Sequence, residues 1–245
     1  MLQLRSYQRD CLQSLARDYE QGYRSLLVQA ATGTGKTIMF LAWLEDQLEH
    51  GQRALIMAHR SELISQPIDR ACQFFPDLAR RMGVVMADQD QADAQIIVAT
   101  VQTLNSNGRL GSVLEHGPID LYIVDEAHHD TAPTYRAVEK QLREANPDML
   151  KVGWTATPVR TDHDGLVSAK GRPGPYDRMS FRFPIQSAIR TGALCEFSAY
   201  AAGLPVSLAG VRETETGWDD IALGDVLNAE NVWDIVLAAW RGEIK

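Results

Sequence analysis

The sequence predicts an α/β protein with a mainly parallel sheet and helices on both of its faces. Apolar runs of strand length alternate with segments of helical period over most of the chain. The runs are continuously apolar, as strands buried on both faces require. With 245 residues, 45% of them hydrophobic, the chain can bury a substantial core.

Taken in order, Ser25–Ala30 reads as a strand and Lys36 to His50 as a helix, with Ile38, Leu41, Leu44 and Leu48 near one stripe and Gly51 as its stop. A second unit repeats the pattern. Ala54–Ala58 is strand-like, Ser61 is placed to cap a helix, and Glu62 to Phe75 has helical spacing that Pro67 is expected to kink or divide. Gly83–Ala87, Gln95–Ala99, Leu121–Val124 and Leu150–Trp154 are further short β-rich runs, and Tyr135 to Ala145 has helical period. After Pro158 the regularity fails. Thr161 to Ser180 is rich in Gly, Pro and charge and reads as a long loop. Beyond Gly192 come a β-like run, Cys195 to Ala201, an acidic stretch and a helical segment from Glu230 to Trp240.

Charge limits the class of partner. Lys plus Arg number 24 against 32 Asp plus Glu, a net charge of -8, which argues against binding nucleic acid by bulk electrostatics. A polyanion must then be held locally. Between Lys151 and Arg190 seven basic residues face three Asp, whereas Glu213 to Lys245 has eight acidic residues and two basic. The first segment fits a phosphate contact or a solvated loop; the second fits neither phosphate nor DNA. Cys11, Cys72 and Cys195 lack metal-ligand spacing and read as reduced thiols. No apolar run approaches the roughly 18 residues of a membrane span, so a cytoplasmic protein is expected.

The chemistry begins at Ala30-Ala31-Thr32-Gly33-Thr34-Gly35-Lys36-Thr37, between the first strand and the first helix. Glycines let the backbone curl so that N–H groups from Thr32, Gly33, Thr34 and Gly35 onward converge on a phosphate, and the helix N-terminus adds partial positive charge. Lys36 would reach the β- and γ-phosphates of ATP, and the Thr37 hydroxyl would sit on Mg²⁺. The strict phosphate-loop pattern has Gly at Ala30, so the match is a relaxed one; its place between strand and helix strengthens it. The plain alternative is a Gly-rich turn.

The second cluster is Ile123-Val124-Asp125-Glu126-Ala127-His128-His129. A metal site, an acid/base pair and a solvated loop all compete for it. Zinc is poorly served, since the histidines are adjacent and no cysteine has compatible spacing. A solvated loop explains the charges but not their position at the end of a buried strand. As the partner of a phosphate loop, Asp125 would hold Mg²⁺ and Glu126 would orient and deprotonate the attacking water.

Asp125-Glu126-Ala127-His128 resembles the DEAH form of the DExH box of superfamily 2 helicases and translocases. Leu4-Arg5-Ser6-Tyr7-Gln8 resembles the family's entry motif, with Ser6 where proline is usual. The resemblance implies a RecA-like P-loop NTPase fold, with Gln8 as adenine reader and Arg5 nearby. Ala58-His59-Arg60-Ser61-Glu62-Leu63 and Ala99-Thr100-Val101-Gln102-Thr103 are similar to the two motifs that touch the nucleic-acid backbone. Thr155-Ala156-Thr157-Pro158 is similar to the motif linking the nucleotide site to the strand-binding face.

By the same resemblance His128 couples the two sites, as do Thr155 and Thr157, and His59, Arg60, Thr100, Gln102 and Arg160 are the candidate nucleic-acid contacts. The segment after Pro158 resembles XPB-like and RadD-like repair helicases, which favours DNA over RNA and a role in DNA repair. The family hydrolyses ATP between two RecA-like lobes, and nothing in 203–245 resembles the arginine-finger motifs of the second. Residues 1–200 are accordingly expected to form the first lobe, and 201–245 to lead toward a second lobe elsewhere in a longer protein. Two rival readings are a non-catalytic nucleotide switch that recruits a partner, and the motor portion of a restriction translocase.

Overall fold

The computed structural model describes residues 2–49, 51–58, 64–86, 89–106, 108–158, 165–169, 173–197, 211–214, 217–229 and 232–242. The chain divides into two compact units, Met1–Cys195 and Glu196–Lys245. The first begins with α1 (Ser6–Glu20), β1 (Ser25–Ala30), α2 (Lys36–Gln47), β2 (Ala54–Ala58), α3 (Ser65–Phe74) and α4 (Pro76–Ala79). It continues through β3 (Met82–Met86), β4 (Gln89–Asp90), β5 (Ile96–Thr100), α5 (Val101–Leu104) and α6 (Arg109–Glu115). It ends with β6 (Leu121–Asp125), α7 (Pro133–Ala145), β7 (Leu150–Thr155), β8 (Arg178–Phe183) and α8 (Ile185–Arg190).

These strands form one eight-stranded sheet in the order β4-β3-β5-β2-β6-β7-β1-β8. Every pairing is parallel except that of β4 with β3. The expected α/β architecture is therefore present. Successive side chains of a strand point to opposite faces, and both faces are closed. Leu26, Val28, Ile56, Val98 and Ile123 pack with Leu15 of α1 and Met39, Phe40 and Trp43 of α2. Leu27, Leu55, Ile97, Tyr122 and Val124 pack with Leu104 of α5, Val113 of α6 and Val138 and Leu142 of α7. Each such aliphatic side chain contributes about 1.5–3 kcal/mol by leaving water.

At the amino edge of the sheet Arg53 supplies polar closure. Its guanidinium donates to the carbonyls of Val113 and Gly117 at 2.7 Å each and of Ala92 at 2.5 Å. The carboxyl edge is left for loops, where open α/β sheets place their ligands.

Two sequence expectations need correction. Pro67 neither kinks nor divides its helix, because α3 starts at Ser65 and Pro67 falls in the first turn, where backbone N–H groups have no helical partner anyway. The expected Ser61 cap lies outside the described residues. Nor is 161–180 wholly loop, although part of it lies outside the described residues. Leu166 and Tyr176 are buried in the core, Val167 bridges Tyr176, and Arg178–Ser180 open β8, which adds a parallel edge strand to β1.

In the second unit, β9 (Glu213–Thr214) and β10 (Gly217–Trp218) make an antiparallel pair, followed by α9 (Asp220–Ala229) and α10 (Val232–Trp240). The expected helix at 230–240 is present as α10, whereas α9 was not anticipated. Cys195–Phe197 carry no strand, and the rest of that β-like run lies outside the described residues.

Tyr176 lies flat against β7, where only glycine leaves room for it: a Cβ at Gly153 would collide with the Tyr176 ring and hydroxyl. Gly153→Ala is therefore expected to destabilise the fold by about 1–3 kcal/mol, the usual cost of overpacking. Urea denaturation checks it, and an unchanged midpoint would show that Tyr176 moves aside freely.

Candidate active site

The loop after β1 curls through two left-handed glycines, Gly33 and Gly35, both at φ +84°. A side chain at Gly35 would also stand 2.9 Å from Gln8 Nε2. Ala30, where the strict pattern has Gly, is the last residue of β1 and buried, and its φ is not positive. A methyl group there costs nothing.

The loop is held from beneath. The Thr34 hydroxyl donates to the Ala31 carbonyl at 2.6 Å, and the Thr34 carbonyl accepts from Tyr7 Oη at 2.8 Å and Gln8 Nε2 at 3.2 Å. Tyr7 stacks on Phe183 of β8 with ring centroids 4.3 Å apart. Gln8 Oε1 accepts the Arg5 backbone N–H at 2.9 Å, so both ends of this amide are occupied within the protein. Arg5 is exposed and donates to the Ala193 carbonyl at 3.3 Å.

Asp125 closes β6, two strands from β1, and Glu126 follows with φ +51°, the one positive φ of a non-glycine among the described residues. Such a conformation costs on the order of 1–3 kcal/mol and persists only where its surroundings enforce it. Asp125 Oδ1 accepts the Glu126 N–H at 3.0 Å. His128 Nδ1 lies 3.3 Å from Glu126 Oε2 and 3.1 Å from Thr155 Oγ1. The Thr155 hydroxyl gives its single proton to the Thr157 carbonyl at 3.0 Å and accepts the Thr157 N–H at 3.1 Å. The proton between histidine and threonine must then be carried by Nδ1.

The two acidic groups are driven apart. Burial, and then the charge of Glu126, pushes the Asp125 carboxyl above its ordinary range, with Lys36 opposing. The hydrogen bond from His128 holds Glu126 below its ordinary range, against burial and with help from Lys36. Carboxylates tuned in opposite directions are a pattern that acid/base sites share with structural ion-pair networks. The shift favours the charged form of Glu126, while Asp125 gains most from a cation. Asp125 with the Thr37 hydroxyl is an all-oxygen set, which suits a hard divalent ion such as Mg²⁺.

A cleft of about 750 Å³ gathers Thr32, Gly33, Gly35, Lys36, Thr37, Asp125 and Glu126, together with Ile38 and with Gln66, Asp69 and Arg70 of α3. The α3 trio was not singled out from sequence. Its spacing of three and four residues puts it on one helix face, but only the fold shows that this face meets the phosphate loop. Thr34 and Gln8 do not line the cleft; they are buried supports beneath it. Thr100 caps α5, its hydroxyl accepting the Thr103 N–H at 3.2 Å, while Gln102 is exposed. His59, Arg60 and Arg160 lie outside the described residues.

Because the Glu126 pKa is depressed, its ionic contribution to stability is present above the unfolded-state value and lost as pH falls through the lower folded value. His128→Ala is expected to raise the Glu126 pKa toward the ordinary carboxylate range. A carboxyl-carbon NMR titration reads this directly, and an unmoved titration would remove the histidine as the cause.

Residues 1–160 match the family described as "Type III restriction enzyme, res subunit". IRC3 of Saccharomyces cerevisiae, whose name describes an ATP-dependent helicase, is 28% identical over 247 residues, covering 97% of this chain and 34% of its own length. The chain thus spans about a third of that relative. Among solved structures, the Hef helicase domain of Pyrococcus furiosus superposes with a TM-score of 0.57 at 19% identity, over 74% of this chain and 40% of its own. A nuclease-deletion mutant of the Type ISP restriction-modification enzyme LlaGI, in complex with a DNA substrate mimic, gives 0.59 at 17%, over 78% and 21%. At such identities these two speak for the fold alone. The sequence match over most of its length, on the sheet and loops described above, makes the chain a member of the Type III restriction enzyme res-subunit family, carrying the N-terminal RecA-like lobe of superfamily 2 helicases.

Proposed function

We propose that this lobe binds ATP with Mg²⁺ and hydrolyses it to drive movement along nucleic acid, DNA in preference to RNA. One observation carries the reading: Lys36 and Thr37 share a single cleft with Asp125 and Glu126. The amides of the loop and the start of α2 receive the phosphates, and Lys36 meets the β- and γ-phosphates. Thr37 and Asp125 hold Mg²⁺, which when bound offsets phosphate charge. Glu126, oriented by His128, takes the proton of the attacking water.

His128 also joins Glu126 to Thr155 and so to Thr157, a route by which occupancy at the strand-binding face reaches the base. Gln102 is exposed where that face is expected, with, by sequence, His59, Arg60 and Arg160 as further contacts, whereas Thr100 is buried with its hydroxyl on Thr103 and so supports the face from within. A chain of net charge -8 can hold a strand through a few such groups, and that binding should weaken steeply with salt. The arginine finger is assigned to a second RecA-like lobe in the longer protein, in keeping with relatives about three times this length.

The family description also supports a second reading, a restriction translocase that moves on duplex DNA without parting it. Displacement of a triplex strand with no strand separation would favour it.

ATP turnover with and without single-stranded DNA, with Lys36→Ala as blank, tests the proposal. Nucleotide should bind to the lobe and not to Lys36→Ala; equal affinity would refute the phosphate-loop role. Hydrolysis by the lone lobe should be slow, because an arginine finger is worth about 10³–10⁵ in rate. In the full motor Glu126→Gln should keep binding and lose turnover, and normal turnover would exclude Glu126 as the base.

A further inference from the structure

Four residues past the strained Glu126, the chain buries a charge that the chemistry above does not use. Asp130 and Lys151 are both fully buried, with Nζ 2.6 Å from Asp130 Oδ2. The ammonium has three protons, and two further acceptors lie within reach: Glu139 Oε2 of α7 at 2.5 Å and the Pro175 carbonyl at 3.4 Å. The Tyr176 ring centroid is 4.6 Å from the same nitrogen. Removing two charges from water costs several kcal/mol each, and a hydrophobic pair of the same volume is often as stable. Stability alone therefore does not account for this lysine, the second residue of a fully buried strand.

Its location points to another role. Lys151 sits on β7 four residues before Thr155, so one strand grips the Glu126 turn at two points, His128 through Thr155 and Asp130 through Lys151. Between them the turn closes by the His129 N–H to the Glu126 carbonyl at 3.0 Å and the Asp130 N–H to the Ala127 carbonyl at 3.1 Å. We propose that Asp130 and Lys151 are positioning residues, a buried ionic anchor that holds the turn and keeps Glu126 in its left-handed conformation, aimed into the cleft. The catalytic part of this assignment rests on the reading of Glu126 as the base.

The test compares the wild type with Lys151→Met/Asp130→Asn. In the double variant Glu139 keeps Arg143 at 2.9 Å, so no buried charge is stranded and thermal stability should stay near that of the wild type. Amide exchange at His129 and Asp130, read by NMR, should nonetheless be about tenfold faster. Lys36-dependent kcat should fall between about 10- and 100-fold, with nucleotide affinity held within about twofold. Asp130→Asn alone, which leaves Lys151 to Glu139 and Pro175, should give the same exchange gain and serves if the double variant does not fold. Wild-type exchange in a stable variant would overturn the anchor whatever the turnover, and so would wild-type kcat. Turnover is read in the full two-lobe motor, where a wild type without Lys36-dependent turnover would defeat the ATPase reading separately, with the exchange rates still deciding the anchor.

Discussion

A parallel sheet with helices on both faces meets water only at the ends of its strands, and the chemistry of this chain follows from that confinement. Leu26, Leu27 and Val28 of β1 and Tyr122, Ile123 and Val124 of β6 are fully buried, on alternating faces. Polar side chains that must meet a ligand can then stand only where the strands stop. The amino edge is closed by Arg53 and its carbonyl partners. The carboxyl edge carries the loop after β1, the acidic turn after β6 and, at the end of β7 and just beyond it, Thr155 and Thr157, brought together by strand order and not by sequence distance.

That edge also bears on how an acidic protein could hold the polyanionic ligands proposed for it. Lys36, Arg70 and the amides at the start of α2 set positive groups at one cavity, beside the carboxylates of Asp69, Asp125 and Glu126. Carboxylates elsewhere on the surface are screened within about 10 Å at ordinary ionic strength. Net charge is a poor guide to a site whose charges are this closely grouped.

Much of this was legible in the sequence, for physical reasons. Continuous apolar runs mark strands buried on both sides, so β1, β2, β5, β6 and β7 stood out. The phosphate loop and the acidic turn were visible because their residue types are demanded by backbone curl and by charge. What escaped depends on long-range contact. β8 begins with Arg178 and alternates in character because it is an edge strand, and its register is set only by pairing with β1. Tyr176 read as loop because the Gly153 gap that receives it lies over twenty residues away. Gln66, Asp69 and Arg70 carry no signal of their own, and Asp130 and Lys151 are ordinary charges until the fold buries them together.

The hold on Thr34 from below has one more consequence. A trans peptide plane points its C=O and its following N–H in opposite directions. With the Thr34 carbonyl fastened by Tyr7 and Gln8, the Gly35 N–H has to point away from them, whether or not an anion is there, and Gly35 lines the cleft. The first helix of the protein thus sets one N–H before any ligand arrives, and if that group is a phosphate donor, as proposed, the entropy of fixing it is charged to folding and not to binding. A residue pair near the amino terminus, outside the cavity itself, would in this way tune how tightly the cavity holds the proposed phosphate.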